Sequence, residues 1–227
     1  MNWIVGNLGL IGELSLIHLR QSAIAIVLGF AISVPLGWVA WRFRLLRGPV
    51  LVVTGLLYTI PSLALLTILP LFLGVPTRAE INLVVALTIY AIALMTRSVA
   101  DGLDSVDADV RLSATATGYG DARRFWVVEF PLAGPVILAG LRVTAASTVA
   151  LATVGILVGV TNLGYLFTNG LQRRIVEEVL AGMIAVGLIA LVLDLLLVVA
   201  GRALMPWSRK PARRMRARLT VEVGAAT

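Results

Sequence analysis

Residues 179–204 read VLAGMIAVGLIALVLDLLLVVAGRAL, an apolar run interrupted only by Asp194 and Arg202. About 20 consecutive apolar residues suffice for a helix to cross the hydrocarbon core of a bilayer. A surface helix of a soluble protein would carry a polar face, and this run has none. Outward from it, four further apolar stretches qualify, at about 22–41, 49–73, 81–100 and 135–160. They are continuously apolar rather than alternating, which favours helices over the strands of a barrel. The chain has 227 residues, 59% hydrophobic and 14% charged, with a mean hydropathy of +0.97. That excess has to face lipid. The reading is an all-α membrane protein with five transmembrane helices in a single domain, 1–227, ending in a basic tail over 205–227.

The charges give the orientation. Arg42, Arg44 and Arg47 follow the first span. Arg97, Arg111, Arg123 and Arg124 lie between spans three and four. Arg202, Arg209, Lys210, Arg213, Arg214, Arg216 and Arg218 follow the fifth. Only Arg20, Arg78, Arg173 and Arg174 fall on the other side. Positive-inside bias then puts the N-terminus outside and the C-terminus in the cytoplasm, which requires an odd number of spans. The first twenty residues lack the basic n-region of a secretory signal. Trp3, Ile4, Leu8, Ile11 and Leu14 recur at helical spacing, either as an interfacial helix on the outer face or as an extension of span one.

Several chemistries are excluded. Without cysteine there is no disulfide, thiol nucleophile or Cys-type zinc site. His18 is the only histidine, which leaves no basis for a histidine metal cluster or a Ser-His-Asp triad. No GxxxxGK[ST] loop occurs, so the chain is not expected to bind ATP. Catalytic residues, metals and bound cofactors are all expected to be absent.

The segment 101–134 is long for a connection and is not disordered in composition. Asp107 or Asp109 can cap a short helix with Val110, Ala114 and Thr117 on one face. Gly118 and Gly120 can stop it. Asp121 can cap a second short helix over 122–130, ended by Pro131 and Pro135. Such a pair on the charged side of the membrane is either an amphipathic loop on the lipid surface or a handle for another protein. Leu112-Ser113-Ala114-Thr115-Ala116-Thr117-Gly118, with Val128-Glu129-Phe130-Pro131, resembles the cytoplasmic loop of binding-protein-dependent ABC importer permeases. Ala114, Gly118 and Pro131 match its pattern at the right spacing. Leu112 stands where that family usually has Glu, and Ser113 where it has Ala; Arg111 or Asp109 are candidate substitutes for the acid.

Thr59-Ile60-Pro61-Ser62-Leu63-Ala64-Leu65-Leu66, Val34-Pro35-Leu36-Gly37 and Asn162-Leu163-Gly164 resemble the osmoprotectant branch of that family, whose substrates include glycine betaine, choline, carnitine and proline betaine. The resemblance implies the MetI-like fold of type I importer permeases and residence in a prokaryotic cytoplasmic membrane. It implies a second permease protomer, two ATPase subunits that carry ATP and Mg, and an extracytoplasmic binding protein that selects the substrate. Asp109, Arg111, Ser113, Ala114, Thr117, Gly118, Tyr119, Gly120, Arg123 and Arg124 would form the ATPase-docking loop. A permease for methionine or another amino acid is the nearer alternative, and a secondary carrier the more distant one.

Proline within span two frees a carbonyl about one turn earlier, near Leu57. In lipid it needs a partner or a water-filled path. Tyr58, Thr59, Pro61 and Ser62 are therefore candidates to line the path, Tyr58 offering a π-face to a quaternary ammonium. The competing reading is a packing kink with Tyr58 at a helix interface. Charges within spans are costly. Arg142 and Asp194 lie at similar depths and are expected to pair, as a structural ion pair or, less in keeping with the sequence, a proton relay. The absence of a convincing set of buried acids argues against coupling to protons or sodium. The basic tail suits anionic headgroups or the ATPase, and nucleic acid is not expected.

Overall fold

The structure, a computed structural model, describes residues 2–208. The basic tail lies outside the described residues from 209 onward. Among the described residues there are helices and no strands.

Helix α1 (Asn2–Gly6) leads at Asn7 into α2 (Leu8–Arg42). Leu8, Ile11 and Leu14 thus extend the first span, which starts well before residue 22; only Trp3 and Ile4 belong to the separate first turn. The second apolar stretch is not one kinked helix over 49–73. It is α3 (Arg44–Thr59) and α4 (Ser62–Leu73), set at 106° to one another. Proline pushes its predecessor out of the helical region, and Ile60 and Pro61 are both extended, with ψ of 126° and 129°. Two carbonyls at this break find donors outside the regular helical pattern. The Leu57 carbonyl accepts from the Ile60 N–H at 3.4 Å, and the Tyr90 hydroxyl donates to the Ile60 carbonyl at 2.6 Å. The break is closed by a side chain from the next span.

That next span, α5 (Glu80–Asp104), is the axis of the fold and packs against α2, α3 and α4. Leu83, Leu87, Met95, Val99 and Leu103 are all buried along it. Lipid tails are as apolar as leucine, so helices in a bilayer associate through close packing of small residues. Gly29 of α2 faces Ala91 so closely that a methyl group there would overlap the alanine Cβ.

After α5 come α6 (Ala108–Ala116) and α7 (Asp121–Arg124), a π-helical turn at Phe125–Glu129, and α8 (Phe130–Ala152). Pro131 and Pro135 do not end a second short helix, because the chain runs from α7 into the fourth span without a break. The wide turn supplies the reason. The Phe130 N–H reaches the Phe125 carbonyl five residues back, and Pro131, in the first turn of α8, has no interior bond to lose. Gly120, not Asp121, is the residue that precedes α7. Span four therefore starts earlier than residue 135, and α8 gives way to a 3₁₀ segment at Thr153–Val158. Then follow α9 (Gly164–Arg173), α10 (Val176–Leu204) and a last turn at Pro206–Ser208. Helix α10 packs on α8 and α9, with one long side open. Among the described residues four helical stretches are long and apolar enough to cross a bilayer, and the bent α3–α4 pair brings the number to five where the two halves together count as one span.

Gly29→Val should force α2 away from α5 at its tightest point. Overpacking of this kind costs about 2 kcal/mol, so the purified variant is expected to unfold at a lower temperature in a detergent melt monitored by tryptophan fluorescence.

Candidate functional site

The charged end of the molecule gathers the C-termini of α2 and α5, the N-terminus of α3, and α6 with α7. Asp107 accepts from the Asp109 N–H at 2.9 Å and starts α6. Gly118, at φ 87°, ends it; the Tyr119 N–H returns to the Ala114 carbonyl and the Gly118 N–H to that of Thr115. A left-handed residue here favours glycine. Ala114 is buried beneath this turn, while Leu112, Ser113 and Thr117 are exposed.

Arg124 ties this region together. Its Nε donates to Glu129 at 2.8 Å, its Nη1 to the Thr115 hydroxyl at 2.9 Å, and its Nη2 lies 3.2 Å from Asp121. One guanidinium joins α6, the start of α7 and the π-turn. Glu129 is buried, with its side chain 2% exposed, and Arg124 is its counter-ion. Nothing in the sequence singled out Glu129, since its acid sits inside an apolar motif and its partner is visible only in three dimensions.

Arg111 is turned inward. Its Nη2 donates to the Leu103 and Val106 carbonyls at 2.9 and 2.5 Å, at the C-terminal end of α5, and its guanidinium stacks 5.1 Å over the Trp41 ring. A cation there complements the helix terminus. Its Nη2 and its stacking face are thus used within the chain, whereas Asp109 is exposed. Arg123 stacks 5.0 Å over the Tyr119 ring. Arg42 reaches Asp121 at 3.1 Å and so links α2 to α7.

At the break, Tyr58 and Tyr90 meet edge to face at 6.1 Å. Tyr58 is 46% exposed, and Thr59 and Pro61 are exposed beside it, with Ser62 half-buried. The four residues are thus brought to one open corner.

Arg142 and Asp194 form a two-pronged pair between α8 and α10, with Nε–Oδ1 at 2.6 Å and Nη2–Oδ2 at 2.8 Å. Charge-assisted bidentate bonds are the strong class of hydrogen bond.

A buried polar cluster closes the opposite end, and only its Asn162-Leu163-Gly164 corner is marked in the sequence. Asn162 Nδ2 donates to the Ala152 carbonyl at 2.8 Å and to Gln21 Oε1 at 3.2 Å, while its Oδ1 accepts from the Gly164 N–H at 2.8 Å. A Cβ at Gly164 would overlap the Thr153 carbonyl. Gln21 in turn donates to the Thr161 carbonyl, and the buried His18 ring meets the Val149 carbonyl at 3.0 Å. Asn169 donates to the buried Glu178 at 2.6 Å.

A broken apolar span, a knot of short helices at the charged end and a polar seal at the other make a multi-pass membrane component. Residues 25–210 match the family described as binding-protein-dependent transport system inner membrane component, and the chain belongs to that family. It is a transport component, not an enzyme. It is 33% identical to a choline transport system permease protein of Bacillus subtilis, over 83% of this chain and 86% of the relative. It is 32% identical to an osmoprotectant import permease protein of Salmonella typhimurium, over 87% and 93%. It is 34% identical to a carnitine transport permease protein of Listeria monocytogenes, over 86% and 88%. In fold it is similar to a chain of the inward-facing MetNI methionine ABC transporter, with a TM-score of 0.72 and 20% identity over 89% of this chain and 98% of that one.

Two outcomes check the geometry. Arg124→Ala strands Glu129 as a buried charge, which costs about 3 kcal/mol; Arg124→Met with Glu129→Leu should melt well above Arg124→Ala. Charge reversal at Arg142 alone should reduce the folded yield in membranes, and Arg142→Asp with Asp194→Arg should recover most of it.

Proposed function

We propose that this chain is the permease subunit of an ATP-driven importer for a quaternary-ammonium osmoprotectant such as choline, glycine betaine or carnitine. The observation that carries the reading is the identity, at 32–34% along more than four fifths of the chain, to permeases named for choline, osmoprotectants and carnitine. Those relatives span the apolar core and the connecting loops alike. Likeness to a methionine transporter at 20% identity speaks to fold alone.

In this reading two permease protomers enclose the path and two ATPase subunits bind beneath them. The segment from Asp109 to Arg124 docks in the ATPases. The exposed Leu112 and small Ser113 suit close docking, and the Arg124 contacts give the segment the stiffness a lever needs. ATP and Mg stay on the ATPases, and a binding protein delivers solute at the opposite end. The arginines of the α2–α3 corner and of the α6–α7 region mark the cytoplasmic end. The N-terminus is then outside and the C-terminus inside.

The open corner at Tyr58, Thr59, Pro61 and Ser62 lies on the path. A quaternary ammonium has no proton to donate, so aromatic faces are the side chains suited to hold it. Tyr58, braced edge to face by the buried Tyr90, supplies one without a fixed negative charge that would retain a cation too long.

Reconstituted in vesicles with its ATPase and binding protein, the chain should take up radiolabelled choline or glycine betaine only when ATP is hydrolysed. Uptake of methionine in preference to these solutes, or uptake without nucleotide, overturns the reading. Tyr58→Leu should raise the apparent KM for the solute several-fold and leave ATPase assembly intact.

A further inference from the structure

A second concave surface lies apart from the path corner. It is a cleft of about 520 Å³ lined by Trp41, Arg42, Arg44, Arg47, Asp104 and Arg111. Four guanidiniums face one carboxylate. Arg47 satisfies that carboxylate at 2.5 Å, and Arg42 is held by Asp121 outside the cleft. Two donors are left over. The Arg44 side chain has no partner among the described residues, and Arg111, whose Nη2 holds both carbonyls and whose Nε is closed off, has its Nη1 left over. A buried unpaired N–H costs free energy, and a charged one more so. The wall is therefore positively charged and incompletely satisfied, as suits a dianionic or monoanionic oxygen ligand with several acceptors.

The neighbours say where such a ligand comes from. Phe43, Leu45 and Leu46 sit beside the arginines and are exposed, Leu45 by 92%. Apolar side chains this bare, at the junction of two spans, belong in acyl chains rather than in water. Trp41 lies where tryptophan is enriched, at the headgroup level. We propose that this cleft binds the phosphate of an anionic phospholipid headgroup, with Arg44 and Arg111 as donors and Phe43, Leu45 and Leu46 against its chains. Arg111 also fixes α6 to the end of α5. The lipid would thus sit against the root of the segment that carries the short helices.

The test uses the purified full chain in nanodiscs of mixed phosphatidylglycerol and phosphatidylcholine, followed by native mass spectrometry of the released protein. One phosphatidylglycerol per chain should be retained in preference to phosphatidylcholine. Arg44→Gln removes no contact within the chain, so its melting temperature should be unchanged. Its phosphatidylglycerol retention should fall about fivefold, the weight of one basic side chain at an anionic surface. Arg97→Gln, outside the cleft, should retain lipid as the parent does. Equal retention by Arg44→Gln and the parent overturns the proposal, as does an equal loss in Arg97→Gln, which would mark general surface attraction. Displacement of the bound lipid by excess inorganic phosphate would make the free anion the ligand and also overturn it.

Discussion

The Arg124 guanidinium is the point through which the charged end of this protein holds its shape. It faces a buried carboxylate on the π-turn, a hydroxyl on α6 and the first residue of α7. A buried charge with one partner removed is among the most costly defects a fold can carry. The π-turn, in turn, leads directly into the fourth span. The short helices are therefore joined to α8 through a hydrogen-bonded connection rather than a slack loop. The same geometry explains how Pro131 is tolerated, because the wider turn removes the bond that proline would otherwise break.

A second constraint governs the membrane interior. Backbone groups in lipid must find partners within the protein. At the break between α3 and α4 the requirement is met by Tyr90, and at the far end by Asn162, which serves two acceptors and one donor at once.

Composition and run length made the spans legible, since nothing but lipid accounts for stretches such as 179–204. That Arg142 and Asp194 could meet was legible too, because helical rise is fixed and both positions can be counted from the same end of their helices, and the two side chains do pair. The bend at Pro61 was not. Proline marks an interruption, but whether it becomes a kink or a right-angle turn depends on which distant donor takes the freed carbonyl, and Tyr90 is on another helix. The continuity of α7 into α8 was hidden for a related reason: two prolines read as a stop unless the widened turn before them is known. Glu129 lay inside a motif read for its apolar residues. Asn162 appeared only as part of a resemblance, and its bonds to Gln21 and Ala152 span too much sequence for any local pattern to reveal. Whether α6 and α7 serve as the docking element is a question about a second protein, which one chain's sequence does not contain.

Helix α3 has 16 residues, a rise of about 24 Å, against a hydrocarbon thickness of about 30 Å. Because α4 leaves it at a steep angle, no straight rod seals that flank from one water phase to the other. Lipids there would have to thin to match, at a cost that grows with each ångström of mismatch. A neighbouring protomer laid against the gap would relieve that cost. Bilayer thickness would thus weigh on the α3–α4 flank more than on the flanks that a full-length helix covers.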